Sequence, residues 1–568
     1  MRNNSSAAPV IPTETHQKTI ALMQITRIGD VIQTLQAAKA VKKFHGDHRV
    51  ILICREQFGK ALHFVLKDTF DEIYYVPTAH YKNLAETYSL QEVVNSFNGF
   101  LAQINAKESI SALINLSYSK TSNYLASVIK SDFKIGPHMD LSNSMRINDK
   151  WSTYLYSHVL TGAHNPYSLV DLFKNIIGVQ SHKPQIDSQN NVKKLRQKQI
   201  VIHPFASQER KMWRAEKWVE IIYKTLRDHK DYTVVLVGSK QESLRSQLIT
   251  ENPLLKTVSD RLVNKVGKTN LEDVYETLNQ SQLFVGHDSM VGHLASLVEI
   301  PTLTISLGSV RPTETTPYHE NAYNLAPKTK CFPCFPNEKC DFTQCHMDVP
   351  HQTVSVAINQ LIKNGKITHQ TFKDENSSFH LGSVHLYASS FNGFGQQVLT
   401  DLIDGSTDSK EIFRNLNRVC FSFLFSQFEE NIPFPKLTNS SHQDLYNTLL
   451  GVQHLYELCE FGMKYSRYIL EDISSATPSV VKIKEFSKKI DEVDHLQSLV
   501  KKTHPLLSPI IDYLALRKAN LYGENVVQLT ESSYYVYEET HSAMKILYEL
   551  VEKTIVEHKS TQSKITSP

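Results

Sequence analysis

The stretch SQLFVGHDSMVGHLASLVEIPTLTISLG, residues 281–308, decides the fold of this chain. An apolar run at 282–285 leads into four polar or small residues, 286–289. Apolar residues at helical spacing follow over 291–298, and a second apolar run occupies 302–307. The order strand, loop, helix, strand is the repeating unit of a doubly wound parallel sheet, so we expect an α/β fold.

The loop of this unit is a candidate ligand site. It lies where a strand ends, and open α/β sheets bind their ligands at the carboxyl ends of the strands. Asp288 and Ser289 stand in the loop. Ser289 is a predicted N-cap, and the free N–H groups of a helix start favour phosphates. The spacing alone fits a phosphate site and a capped helix without ligand equally well.

Length and composition narrow the class of protein. The chain has 568 residues, which indicates two to four domains, and its 41% hydrophobic and 21% charged residues are typical of globular proteins. Its 61 Lys and Arg against 58 Asp and Glu give a net charge of +3, with no strong basic field to attract nucleic acid or a membrane. Residues 1–18 lack the apolar segment of a secretion signal and read as a disordered lead. With no apolar run of the roughly 18 residues that span a membrane, we expect a cytoplasmic protein with reduced cysteines.

The first half of the chain reads as one α/β domain. Residues 19–25 predict a strand, and residues 31–43 predict the helix that follows it. Asp30 stands at the start of that helix, where it either caps the helix or serves as a base at the end of the strand. Further strands are predicted at 48–54, 72–76, 111–116 and 133–136. We interpret the polar and aromatic stretch 143–165 as an acceptor-facing loop or as plain surface.

A second α/β domain follows a cationic hinge at 188–199. Strands are predicted at 200–203, 232–237 and 263–266, in addition to those of the opening stretch. The segment PFASQERKMWRAEKW after the first of them contains Lys211, which can neutralise a phosphate, although most lysines are simply solvated. Two such domains in one chain predict a cleft between them.

Three segments resemble the heptosyltransferases of glycosyltransferase family 9. They are TRIGDVIQTLQA (26–37), HPFASQERKMWRAEKW (203–218) and FVGHDSMVGHLASLVEIPT (284–302), and the resemblance extends over about residues 18–365. It implies a GT-B fold, in which two Rossmann-like domains face a cleft. It also implies transfer of a heptose from ADP-heptose to an acceptor, usually the core of lipopolysaccharide.

The resemblance assigns roles to individual residues. Asp30 matches the general base that deprotonates the acceptor hydroxyl, and Lys211 matches the lysine that meets the donor diphosphate. The donor loop is matched by Asp288, Ser289, Gly292 and His293, and Glu242 matches an acidic position near the adenosine ribose. Met290 stands where the family has glycine, a departure that leaves the identity of the donor open. An inverting transfer needs one base and a stabilised leaving diphosphate, so we expect catalysis without a metal cofactor.

Four of the seven cysteines fall in CFPCFPNEKCDFTQC, as Cys331, Cys334, Cys340 and Cys345. Four thiolates at this spacing predict a structural zinc or iron site; the alternative is reduced thiols or a redox pair. The cluster is similar to the cysteine-bound iron finger of family members that modify autotransporter proteins.

The predicted architecture is a lead at 1–18, an acceptor domain at 19–187, a nucleotide-sugar domain at 188–368 with its cysteine finger at 331–345, and an all-α domain at 375–558. The aromatic helices of the last domain either form a core or dock a protein partner. We expect a nucleotide-sugar donor and no nucleic acid. The acceptor is left open between a glycan, a lipid-linked sugar with peripheral attachment to the inner membrane, and a protein Ser or Thr. A non-catalytic nucleotide-binding scaffold and a sugar-nucleotide epimerase are the alternatives to a transferase.

Overall fold

A computed structural model describes residues 18–87, 89–158, 164–179, 196–335, 339–375, 381–403, 409–425 and 439–565. The predicted lead and most of the predicted hinge lie outside the described residues. The chain forms two compact units: residues 1–144 with 167–404, and residues 145–166 with 405–568. None of the described helices combines the length and apolar character that a bilayer-spanning helix needs.

The first unit begins with a five-stranded parallel sheet. Its strands are β1 (Thr19–Gln24), β2 (Arg49–Arg55), β3 (Glu72–Val76), β4 (Ile110–Asn115) and β5 (Phe133–Ile135), in the order β3-β2-β1-β4-β5. All six residues of β1 are buried, as expected for a central strand covered on both faces. The other elements of this half are α1 (Ile28–Phe44), α2 (Glu56–Leu66), α3 (Thr78–Thr87), α4 (Leu90–Lys107), α5 (Lys120–Val128), β6 (His138–Met139), β7 (Met145–Arg146), α6 (Lys150–His158) and α7 (Leu169–Ile177).

The second sheet has eight strands in the order β10-β9-β8-β11-β12-β13-β14-β15. They are β8 (Gln199–His203), β9 (Thr233–Leu236), β10 (Leu262–Asn264), β11 (Leu283–His287), β12 (Thr302–Ile305), β13 (Ala322–Pro327), β14 (Val384–Phe391) and β15 (Gln397–Asp401). Its helices are α8 (Ala215–Asp228), α9 (Ser243–Thr250), α10 (Leu271–Gln280), α11 (Met290–Leu297), α12 (Pro312–Thr315), α13 (Gln344–Asp348), α14 (His351–Asn364) and α15 (His369–Glu375).

Both sheets reverse their strand order at the first strand of the lobe. In the first lobe β1 lies between β2 and β4, and in the second β8 lies between β9 and β11. The chain therefore winds outward in both directions from β1 and from β8, and a crevice opens where the order reverses, at the carboxyl ends of the strands. The predicted fold class, two Rossmann-like lobes with an additional helical region, is confirmed.

The predicted all-α region was wrong at its start. Residues 384–401 form the hairpin β14–β15, and β14 pairs antiparallel with β13. The sequence carries the signal, because apolar and polar residues alternate before the turn dipeptide Asn392-Gly393. The hairpin covers the otherwise unpaired edge of β13, which explains why it folds with the sheet.

The second unit is helical and includes an internal segment of the chain. Its helices are α6, α16 (Ser409–Leu424), α17 (Asn439–Ile473), α18 (Val480–Thr503), α19 (Ser508–Ala519) and α20 (Val526–Ile565). The ring of Tyr154 in α6 lies 4.6 Å from that of Phe421, and the ring of Trp151 lies 4.2 Å from that of Phe425. The interpretation of 143–165 as a loop was therefore wrong, because its aromatic residues are part of the core of this unit.

Candidate active site

The two lobes of the first unit meet where α1 and α11 begin. A Cβ atom on Gly29 would lie 3.3 Å from Cδ2 of His293. Further along the same two helices, the side-chain amide of Gln36 donates to Oγ of Ser296 at 2.9 Å. The sequence-predicted base and the sequence-predicted donor loop therefore stand opposite each other.

Asp30 is buried in the first turn of α1, and its side chain accepts from the backbone N–H of Arg27, the N-cap residue. The Tyr118 hydroxyl lies 3.4 Å from Oδ2 of Asp30. Burial raises the pKa of Asp30 to about 6, aided by Asp288 and opposed by Arg27 and Tyr118. Asp30 thus caps its helix and also has a pKa suited to accepting a proton near neutral pH.

Lys211 ends a short 3-10 helix, Glu209–Lys211, and its Nζ lies 3.4 Å from Oδ2 of Asp288. The two side chains are only 12% and 14% exposed. Burial would raise the pKa of Asp288, but Lys211, His293 and a hydrogen bond from Thr315 outweigh it and hold that pKa below its ordinary value. Asp288 is therefore ionised at neutral pH, and an anionic ligand would compete with it for Nζ of Lys211.

Ser289 is the N-cap residue of α11, as predicted, but its side chain does not cap the helix. Its Oγ instead lies 3.0 Å from Nδ1 of His203, at the end of β8. The first turn of α11 therefore has no side-chain cap from Ser289, which leaves the positive end of the helix dipole to an anion.

Glu242 lies on the other side of the His203 ring, with its Oε2 4.0 Å from Nε2. The same oxygen accepts from the backbone N–H of Ser239 at 2.6 Å and from its hydroxyl at 2.9 Å. Burial lowers the pKa of His203 to about 4, although Glu242 opposes the shift, so the ring is neutral at pH 7. His203 was not predicted as a site residue, because its signal in the sequence is no more than a polar residue at the end of a buried strand.

A second buried histidine fixes the position of the segment after Lys211. Nε2 of His287 accepts from the backbone N–H of Trp213 at 2.9 Å, and Nδ1 lies 3.1 Å from the carbonyl oxygen of Ile305. These contacts require the neutral ring with its proton on Nδ1. Burial lowers the pKa of His287 to about 3, in agreement with that form.

The glycines on either side of Asp288 and Ser289, Gly286 in β11 and Gly292 in α11, differ in what they require. A Cβ on Gly286 would lie 2.7 Å from the carbonyl oxygen of His203, so only glycine fits there. A Cβ on Gly292 would meet Phe284 and Pro317 at 3.5 and 3.6 Å, which is ordinary contact. Gly292 is a packing position inside α11, and its predicted contact with the donor stays a prediction.

The predicted four-cysteine metal shell is not formed in this structure. Among the described residues, no group of three or more His, Cys, Asp and Glu side chains is arranged to hold a metal ion. Cys331 is exposed and Cys345 is buried. Burial and the neighbouring cysteines raise the pKa of Cys334 to about 11, so a metal would have to displace its proton. The structural metal stays a prediction.

The cysteine segment nevertheless contacts the loop that carries Lys211. Nε2 of His346 lies 2.8 Å from the carbonyl oxygen of Arg210. The guanidinium group of Arg210 in turn donates to the carbonyl oxygen of Phe335 at 3.0 Å. The Cys334 N–H donates to the carbonyl of Gly308 at 2.9 Å. The segment therefore buttresses this loop from the side of β12.

Comparison with known proteins places this site in a family. Residues 108–345 match the model of glycosyltransferase family 9 (heptosyltransferase). This region belongs to glycosyltransferase family 9. It contains Lys211, Asp288, His293 and the four cysteines, whereas Asp30 precedes it. The family resemblance read from the sequence is confirmed.

Two curated relatives are named as heptosyltransferases. Lipopolysaccharide heptosyltransferase 1 of Campylobacter coli is 24% identical over 319 residues, which cover 54% of this chain and 86% of the relative. Lipooligosaccharide heptosyltransferase 2 of Campylobacter jejuni is 23% identical over 160 residues, 28% of this chain and 48% of the relative.

Among solved structures, the ADP-heptose lipopolysaccharide heptosyltransferase II of E. coli is 15% identical, with a TM-score of 0.43 and coverage of 61% of this chain and 98% of that one. The family match and the curated relatives make this chain similar to lipopolysaccharide heptosyltransferases, which supports a glycosyltransferase activity.

Proposed function

We propose that this protein is an inverting glycosyltransferase that moves a heptose, or a similar sugar, from ADP-heptose to a hydroxyl group of a lipopolysaccharide-type glycan. The observation that supports this most directly is the position of Asp30. It lies at the carboxyl end of the central strand of one lobe, across from Asp288 and His293 of the other lobe, and its pKa is raised to about 6.

In the proposed reaction Asp30 accepts the proton of the acceptor hydroxyl as the oxygen attacks the anomeric carbon. A carboxylate with a pKa near 6 is ionised at pH 7 and basic enough to assist the attack. The bond from the anomeric carbon to the diphosphate breaks on the opposite face, which inverts the configuration. The proton ends on Asp30 and the negative charge ends on the leaving diphosphate.

The second lobe supplies the groups that stabilise that charge. Lys211 Nζ provides a partly desolvated positive charge, and the first N–H groups of α11 provide a helix dipole without a side-chain cap from Ser289. Glu242 lies on the far side of His203 from Ser289, where we assign it to the ribose of the nucleotide.

The test compares transfer and nucleotide binding in the intact protein and in Asp30→Asn. We expect heptose transfer from ADP-heptose to a heptose-deficient lipopolysaccharide acceptor, loss of transfer in the variant, and unchanged ADP affinity. Asp47→Asn, an exposed change in the same lobe, is the matched control and should keep full activity.

Other outcomes separate the alternatives. ADP binding without turnover in the intact protein would favour a scaffold and contradict the proposal. Conversion of the donor to another sugar nucleotide without acceptor would identify an epimerase. Transfer to a Ser- or Thr-containing protein instead of the glycan would keep the chemistry and change the acceptor.

A further inference from the structure

The helical unit has one end at which three helix termini meet. Residues 474–479 connect α17 to α18, so the end of one helix and the start of the next lie together. α20 runs antiparallel to α17, because Arg467 pairs with Tyr534 at 3.5 Å while Glu460 pairs with His541 at 3.5 Å. The start of α20 therefore lies at the same end. We call residues 464–489 and 520–535 the bundle tip.

Exposed apolar side chains concentrate at the bundle tip. Val480 and Val481, in the first turn of α18, are 65% and 77% exposed. On the neighbouring connection and on α20, Tyr522 is 72%, Val526 52% and Tyr535 60% exposed. Scattered apolar residues are normal on a protein surface, but a group at one end of a bundle indicates a contact surface.

Aromatic rings lie behind the two valines. The rings of Tyr468 and Phe486 are 5.3 Å apart, and Nζ of Lys464 lies 5.8 Å from the centroid of the Tyr468 ring. Tyr468 is six residues and Phe486 seven residues from the connection 474–479, which corresponds to roughly 9–10 Å along the helices. Tyrosine rings and lysine side chains at such a depth behind an apolar end are typical of proteins that contact a bilayer interface.

The charge of the α17–α18 hairpin has the sign that anionic lipids attract. Residues 464–489 contain six Lys and Arg against three Asp and Glu, an excess equal to the net charge of the whole chain. One of the acids, Asp472, already accepts from the Ser479 N–H at 2.8 Å and lies 3.8 Å from Lys482. Glu524 and Glu531 on the α20 side reduce the local excess, so apolar and aromatic contacts have to contribute alongside charge.

We propose that the bundle tip docks on the surface of an anionic lipid bilayer. Val480 and Val481 enter the interface, the tyrosines lie at the level of the headgroups, and Lys482, Lys484 and Lys488 face the lipid phosphates. Such docking would hold an enzyme with a lipid-linked acceptor at the membrane. The inference itself does not depend on the proposed reaction, because binding is measured without donor or acceptor.

The experiment is co-sedimentation of the full-length protein with vesicles of phosphatidylcholine alone or of phosphatidylcholine with phosphatidylglycerol. We expect binding to the anionic vesicles that weakens as salt rises. The double variant Val480→Asp/Val481→Asp should bind at least about tenfold more weakly, because charged residues replace the inserted side chains. The triple variant Lys482→Glu/Lys484→Glu/Lys488→Glu should lose the preference for phosphatidylglycerol.

The matched control is Leu244→Asp/Leu248→Asp, a pair of leucines 77% and 67% exposed on α9 of the other unit, which should bind as the unchanged protein does. Absence of binding to anionic vesicles, or an equal loss in this control, overturns the proposal. Light scattering of the protein without lipid tests whether a second copy of the chain binds to the bundle tip instead of a bilayer. A dimer that the valine variant dissociates, together with no vesicle binding, overturns the bilayer in favour of self-association.

Discussion

Replacing Asp30 with Asn should make the protein more stable at neutral pH while it abolishes transfer. The side chain is buried, and burial is the main reason that its pKa rises from an ordinary value of 3.8 to about 6. A base kept ionised in a desolvated site costs folding free energy, and the amide has no charge to desolvate. The stability gain and the activity loss thus have one cause.

The magnitude follows from the pKa change. At 1.36 kcal/mol for each tenfold change in the proton affinity, a rise from 3.8 to about 6 costs about 3 kcal/mol. Below about pH 4 the carboxyl is protonated in both the folded and the unfolded chain, so there is no cost. As the pH rises, the unfolded chain ionises first and the folded state loses stability until about pH 6. Above that value the full cost remains.

Chemical denaturation of both proteins at about pH 4 and about pH 8 measures this. The free energy of unfolding of Asp30→Asn should exceed that of the unchanged protein by about 3 kcal/mol at the higher pH and by little at the lower one. Asp288→Asn is the contrasting variant. The lowered pKa of Asp288 means that its ionised form stabilises the fold above pH 3.8, so its replacement should destabilise the protein at pH 8. A destabilised Asp30→Asn at pH 8 would refute the argument that this carboxylate is strained by desolvation.

Three further outcomes are expected. Lys211→Ala should weaken ADP binding by about tenfold to a hundredfold in calorimetry, because one charged contact is lost. The control Lys240→Ala, at an exposed position, should not weaken it. If Lys211→Ala binds ADP as tightly as the unchanged protein, Lys211 is not part of the site. Gly286→Ala should lower the denaturation midpoint, because its Cβ would lie 2.7 Å from a backbone oxygen. Gly292→Ala should be neutral or stabilise α11 by up to about 1 kcal/mol. A protein destabilised more by Gly292→Ala than by Gly286→Ala would contradict the described packing. Elemental analysis should find about one zinc or iron per chain, lost in Cys345→Ser, and a folded, metal-free protein with reactive thiols would reject the metal site.

Part of the site could be predicted from the sequence, because the carboxyl ends of parallel strands meet at one edge of a sheet. Apolar runs followed at once by polar residues gave the strand ends, and the fold brings Asp30 and Asp288 to one place for that reason. The contacts that tune them could not be predicted in the same way. Tyr118 and Thr315 reach the two carboxylates from positions 88 and 27 residues away along the chain. Nothing local in the sequence around either residue indicates that contact.

The two wrong predictions about the fold, for α6 and for the hairpin β14–β15, have a related cause. Among the described residues, the aromatic side chains of α6 pack on Phe421 and Phe425 in the last third of the chain. Without those partners the local sequence resembles an aromatic loop. The hairpin β14–β15 follows three helices, and a prediction that continues the helical pattern overlooks it. In both cases the deciding contact is distant in sequence, whereas periodicity reports only on neighbours.

The helical unit is built from two separate segments of the chain, residues 145–166 and 405–568, and this predicts where the protein can be cut. Removal of residues 404–568 alone would leave α6 without its partners: Tyr154 is fully buried, and Lys150 pairs with Glu539 at 2.5 Å. Each exposed aromatic side chain would present roughly 150–250 Å² of surface to water.

We therefore expect the chain ending at residue 403 to aggregate. The same chain with residues 147–166 replaced by a Gly/Ser linker should stay monomeric and bind ADP like the full-length protein, because both Rossmann-like lobes are complete without that segment. Size-exclusion chromatography with light scattering, followed by ADP titration, distinguishes the two. If the simple truncation is monomeric and as stable as the linker variant, residues 147–166 do not depend on the C-terminal helices and the division into two interleaved units is wrong.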